Sequence, residues 1–163
     1  MDPELRIKVK RVHLYNVKKS LSIAKILNRC GQDMAKKYEI YHWKNSMVKS
    51  CLIVVICLLK NRVYLVIEEK KPVATFQLKK RGDILFFEKL AVIPEASGKG
   101  YGSYCMKLIE SRARKLDCKK VQMEVYDKSI HAINFYLNKG YSQVGEISTM
   151  KYTDLVMEKN IGN

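Results

Sequence analysis

Proline and glycine are scarce in this chain, three and eight among 163 residues. Without a low-complexity tract or an internal repeat, that scarcity excludes a linker-jointed array and leaves residues 1–163 as a single compact domain. Cysteine is too sparse and wrongly spaced for a disulfide scaffold. The five cysteines, at 30, 51, 57, 105 and 118, are odd in number and contain no Cys-x-x-Cys pair. The three histidines form no cluster of metal-ligand spacing, so no metal site is expected. Cys51 and Cys57 stand in an apolar run and Cys105 on the apolar stripe of a helix, which are packing positions rather than nucleophile positions. Reduced thiols in a cytoplasmic setting are the expectation. Long apolar runs are missing too: residues 50–59 give about half of the roughly 20 residues a membrane span needs, bracketed by Lys49 and Lys60 and too far along the chain for a secretory leader. No membrane partner is expected.

Acidic residues are also short, 16 against 31 Lys and Arg, for a net charge of +15. Such a field draws anions from a distance. The basic residues are nevertheless scattered in short clusters, Lys18-Lys19, Lys36-Lys37, Lys70-Lys71, Lys79-Lys80-Arg81 and Lys119-Lys120, with no block of five and no nucleic-acid-reading motif. A solvated surface is the plainer reading, and a basic RNA- or ribosome-associated protein remains an alternative that rests on charge alone. Polycationic ligands would be repelled unless a local acidic pocket overrode the field.

The patterning reads as a layered α/β fold. Ile7, Val9 and Arg11 alternate with lysines as an edge strand, and Val17, Leu21, Ala24 and Leu27 recur at helical spacing over residues 17–30. Gly31 is expected to break that helix, with a second short one running to Tyr38 and a loop around Trp43. Residues 62–67 and 72–78 read as a hairpin and 83–92 as the next strand. Tyr101, Tyr104, Cys105, Leu108, Ile109 and Leu116 then form the apolar stripe of a helix. Residues 120–125 suit a strand, 129–138 a helix closed by Gly140, and 141–146 and 155–158 the last strands. Residues 47–59 are ambiguous, because their β-branched side chains favour a strand by propensity.

The most informative stretch is residues 90–103, Leu-Ala-Val-Ile-Pro-Glu-Ala-Ser-Gly-Lys-Gly-Tyr-Gly-Ser. An apolar strand runs into glycines at 98, 100 and 102 and then into a helix, whose first free N–H groups suit an anion. Neither the P-loop spacing nor the dinucleotide spacing fits. The stretch resembles motif A of the GNAT superfamily of N-acetyltransferases, with Gly100 and Gly102 in its last positions and Ser97 where an Arg or Gln is usual. Residues 124–141 are similar to the family's motif B. Tyr136, Gly140 and Tyr141 match it, while Tyr126 and Ser129 stand where asparagines are usual.

The resemblance implies a central mixed, mostly antiparallel sheet flanked by helices, with acetyl-CoA in the gap between the fourth and fifth strands. It also implies a helix at residues 47–59. Coenzyme contacts would fall on Leu90, Ala91 and Val92, on Ser97, Gly98, Lys99, Gly100, Tyr101, Gly102 and Ser103, and on Ser129 and Tyr136. The implied reaction is direct attack of a primary amine, on a small molecule or a protein, upon the thioester. Tyr136 matches the family's general acid, a phenol of pKa about 10, with a core tyrosine as the other reading. Alternation along the fourth strand puts Glu88 on one face with Ile84, Phe86, Leu90 and Val92, where a carboxylate among apolar neighbours would serve as base; a salt bridge to a neighbouring lysine is the competing reading. His131 reads as a surface residue. Backbone N–H groups near residues 90–92 would meet the charge developing on the carbonyl oxygen. A degenerate domain that binds acyl-CoA without catalysis is the second function consistent with Ser97, Tyr126 and Ser129, and a homodimer is compatible with the family.

Overall fold

The structure is a computed structural model and describes residues 6–162. Its elements in chain order are β1 (Ile7–Val12), α1 (Val17–Tyr38), α2 (Met47–Lys60), β2 (Arg62–Glu68), β3 (Lys71–Arg81), β4 (Ile84–Val92), α3 (Tyr101–Lys115), β5 (Lys120–Tyr126), α4 (Ile130–Leu137), β6 (Ser142–Ser148) and β7 (Thr153–Asn160). The strands form one mixed sheet in the order β1-β2-β3-β4-β5-β7-β6. Pairings β1–β2, β2–β3, β5–β7 and β6–β7 are antiparallel, and β4–β5 is parallel. The chain groups into two compact units, one comprising the residues up to Leu78 with Lys89–Met106, the other Lys79–Glu88 with the residues from Lys107.

In the first unit, α1 and α2 pack on each other and α2 on β2. Ile23, Ala24, Ile26, Val54, Cys57, Val63 and Leu65 are buried together there, with Val12. Helix α2 forms despite its Ile-Val-Val-Ile run because Ser46 caps it, its hydroxyl accepting from the Lys49 N–H at 3.2 Å, and because Val54 and Cys57 fall on one buried face. The strand-like propensity of this segment gives way to capping and burial. The expected break at Gly31 does not occur, and α1 runs unbroken through it. A Cβ there would lie 2.1 Å from the Trp43 carbonyl oxygen, so this glycine provides room for a close chain crossing rather than a helix end. Strands β2 and β3 meet through Glu69 and Lys70, whose φ values of 45° and 71° supply the two positive-φ positions of a tight hairpin turn.

In the second unit, Val121, Met123 and Val125 of β5 are buried, as are Ile109 and Ala113 of α3, Leu85 and Phe87 of β4, and Met157 of β7. Phe87, Tyr136 and Tyr141 form an aromatic cluster with centroid separations of 5.9 to 6.3 Å. Gly140 takes φ 83°, the left-handed conformation expected after α4. Glu110 of α3 accepts from Lys159 Nζ at 3.0 Å and from the Tyr141 hydroxyl at 3.4 Å, tying α3 to the last strand.

Candidate functional site

The glycine-rich loop belongs to the first unit. Ile93 leaves β4 with its N–H donating to the Val73 carbonyl at 2.9 Å, and Pro94–Ala96 makes a single 3-10 turn. Gly98 and Gly100 follow at φ 76° and 88°, and a Cβ on either would meet nothing within 4 Å. Glycine is therefore favoured at these two positions by backbone conformation, and the space beside them is open. The α3 ladder begins with the Tyr104 N–H donating to the Gly100 carbonyl at 2.9 Å, so the N–H groups of Tyr101, Gly102 and Ser103 lie ahead of it, at the positive end of the helix dipole. That arrangement fits a pyrophosphate. Ser97 and Lys99 are exposed beside it, and Leu90, Ala91 and Val92 are half-buried.

Side chains hold this loop in place. The Tyr101 hydroxyl donates to the Glu68 carboxylate, which pushes the phenol pKa up to about 12. Arg29 of α1 pairs with Glu95 in the 3-10 turn, and the Cys30 thiol donates to the Val92 carbonyl at 3.1 Å. Burial raises the Cys30 thiol to about 12, which leaves it inert as a nucleophile at neutral pH. All five cysteines are free, and no group of three or more possible metal ligands occurs among the described residues.

Tyr136, Glu88 and Glu124 lie in the second unit. Tyr136 on α4 is buried against Phe87, and burial pushes its phenol pKa above the ordinary value of 10. The group therefore keeps its proton at physiological pH. Glu88 is exposed, not enclosed among apolar neighbours as its strand pattern suggests. The continuous alternation expected from Ile84 to Val92 is also interrupted, because Lys89 takes φ 50° and breaks the pleat directly after Glu88. Ser129 is buried at the start of α4, with its carbonyl accepting from Ala132 and Ile133, both at 3.0 Å. His131 is exposed as expected, and desolvation lowers its pKa.

Glu124, which the sequence reading passed over, has the perturbed carboxyl. The pairing of Ile84 and Phe86 with Lys120 and Gln122 places Glu88 and Glu124, each two residues further on, on the same sheet face. Asp154, two residues from the Val156 that pairs with Glu124, shares that face. Glu124 is exposed, as Glu88 is, yet partial desolvation of its carboxyl raises the pKa above the ordinary 4.5; the charges of Asp154 and Glu88 add to the shift and Arg81 opposes it. Phe87 and Glu88 are successive in β4 and point to opposite faces. Tyr136, packed on Phe87, thus belongs to the face opposite Glu124. The signal for Glu124 was its place beside Val121, Met123 and Val125 in an alternating strand, but only the strand pairing shows which charges surround it.

The profile of the acetyltransferase (GNAT) family matches residues 22–141. No curated protein matches in sequence. Several solved structures share the fold. The ribosomal-protein-S18-alanine N-acetyltransferase from Escherichia coli superposes with a TM-score of 0.72 at 13% identity, over 96% of this chain and 95% of that one. Aminoglycoside 6'-acetyltransferase type Ii gives 0.74 at 13% identity, over 96% and 98%. The PaiA N-acetyltransferase from Thermoplasma acidophilum, in complex with coenzyme A, gives 0.73 at 15% identity, over 94% and 98%.

Proposed function

The chain belongs to the acetyltransferase (GNAT) family, whose members are acetyl-CoA-dependent N-acetyltransferases, and from that premise we propose how its own residues divide the work. The backbone N–H groups of Tyr101, Gly102 and Ser103 bind the coenzyme pyrophosphate, with Lys99 adding charge and Gly98 and Gly100 allowing close approach. The strand segment Leu90, Ala91 and Val92 offers its backbone to the pantetheine arm and to the developing oxyanion. Acetyl-CoA supplies the activated acyl group.

Glu124 takes the proton of the attacking amine, and Tyr136 returns one to the departing thiolate. The observation that supports this division is the opposite disposition of the two groups about one sheet, with the Glu124 pKa raised towards neutrality and Tyr136 fully protonated. A carboxyl shifted upward is a better base at neutral pH than an ordinary one, and a buried phenol still carries a proton to give, although as a weaker acid than an exposed tyrosine. The Glu124 face also carries Glu88 and Asp154, so an incoming ammonium meets negative charge there despite the positive sign of the whole chain. Glu88 is the secondary candidate for the base. The acceptor is a primary amine, on a small molecule or a protein.

The five free cysteines support a reducing, cytoplasmic setting, and no helix among the described residues is long and apolar enough to cross a membrane. The proposal is tested by steady-state kinetics with an amine panel and thiol detection, on wild type, Tyr136→Phe, Glu124→Gln and Glu88→Gln. Loss of kcat in the first two with unchanged acetyl-CoA affinity is the expected result. Full activity in Glu124→Gln with loss in Glu88→Gln would move the base to Glu88.

A further inference from the structure

Helix α2 is apolar on two sides. Ser50, Val54 and Cys57 are buried in the first unit, whereas Val48, Leu52, Val55, Ile56 and Leu59 are between 41% and 81% exposed. A solvated helix face is ordinarily charged, yet no charged residue lies between Lys49 and Lys60. The five exposed side chains leave roughly 500 Å² of apolar surface open, the size of the largest patch a monomer ordinarily carries.

We propose that this face is the contact between two copies of the chain, with α2 packed antiparallel on α2 about a two-fold axis. The proposal does not depend on the catalytic roles assigned above. Val48, Leu52, Val55 and Leu59 follow one another at intervals of four, three and four residues, the spacing of a helix-pairing seam. That spacing reads the same in both directions. An antiparallel copy therefore sets Val48 against Leu59 and Leu52 against Val55, which is the self-complementary arrangement a two-fold axis demands.

The same register sets Lys49 against Leu58 and Lys60 against Met47, so neither lysine faces a like charge across the seam. Pairing would cover about 1,000 Å² in total, the lower bound for a specific interface. A reversible dimer is the form this area supports.

Charge gives the association a distinctive sign. Two copies each carry +15 and repel at long range, so added salt, by screening, strengthens a contact made of apolar side chains. An RNA, an anionic bilayer or an acidic protein on the same face would be released by salt instead.

Sedimentation velocity over a wide range of protein concentrations, at low and high salt, tests this on the full chain. A monomer–dimer equilibrium that tightens with salt is expected. Leu52→Lys and Val55→Glu should each weaken it by at least about tenfold, because each buries an unpaired charge in the seam. Both positions are exposed in the monomer, so the circular dichroism spectrum should not change. The double variant Leu52→Lys/Val55→Glu sets opposite charges against each other only in the antiparallel register, and should recover much of the dimer. A wild type that stays monomeric throughout, a dimer indifferent to both single substitutions, or an association that salt dissolves would each overturn the proposal.

Discussion

In the first unit the groups proposed to meet a ligand are backbone amides, those of Tyr101, Gly102 and Ser103 at the start of α3, while in the second they are the side chains of Tyr136 and Glu124. The two kinds of group are held differently. An amide row is fixed by the helix behind it and by two positive-φ glycines, and its chemistry is the same whichever side chains surround it. A phenol or a carboxyl takes its chemistry from its surroundings: burial against Phe87 for Tyr136, and desolvation with Asp154 and Glu88 close by for Glu124. Binding that depends on backbone should therefore be separable, by substitution, from chemistry that depends on side chains.

The largest effect is expected from Tyr136→Phe, which removes a hydroxyl and leaves the ring packing. Its kcat should fall about 100-fold, the usual scale of a lost general acid, while calorimetry finds acetyl-CoA affinity unchanged. A parallel loss of affinity would dissolve the distinction between the two units. Glu124→Gln should follow at about 30-fold in kcat/KM. The wild-type rate should rise with pH through a limb placed above the ordinary carboxylate pKa of 4.5, and the pH–rate profile of the variant should lack that limb.

Next comes Gly31→Ala, a purely structural change in the first unit. The 2.1 Å approach to the Trp43 carbonyl must open, costing about 2 kcal/mol and lowering Tm by roughly 4–8 °C in a thermal melt. Gly100→Ala is milder. Only its φ of 88° resists a side chain, because nothing lies within 4 Å, and the strain of about 1–2 kcal/mol should appear as about tenfold weaker acetyl-CoA binding with kcat at saturation preserved.

The smallest effect concerns stability. The Glu124 carboxyl holds its proton more tightly in the fold than in the unfolded chain, so its ionisation at neutral pH destabilises the native state. Glu124→Gln should melt slightly higher than wild type at neutral pH. The difference should shrink as pH falls through the raised pKa of the folded state towards the ordinary value of 4.5. A variant less stable than wild type at neutral pH would mean that the carboxylate is favourably held, and its assignment as a perturbed base would fail.

What the sequence disclosed follows the same division. The glycine loop stood out by residue type alone; Gly140 takes the left-handed φ expected of it, and Gly98 and Gly100 prove to have positive φ as well, whereas Gly102 does not. Tyr136 was singled out by its motif, and the structure buries it against Phe87. Gly31 misled because a glycine that breaks a helix and one that admits a crossing chain look alike until Trp43 is seen above it. The strand carrying Glu88 misled because a single residue, Lys89 at φ 50°, interrupts a period that the apolar pattern carries straight through. Glu124 was passed over because its pKa is raised first by desolvation within the folded sheet and then by the charges of Asp154 and Glu88, which strand pairing brings near it across long stretches of chain.

Calorimetric titration of acetyl-CoA into wild type and into the Tyr136→Phe/Glu124→Gln double variant tests the separation most directly. Equal affinities, with turnover lost in the double variant, are expected if the amides bind and the side chains catalyse. No binding to wild type, or binding abolished along with turnover, would contradict it.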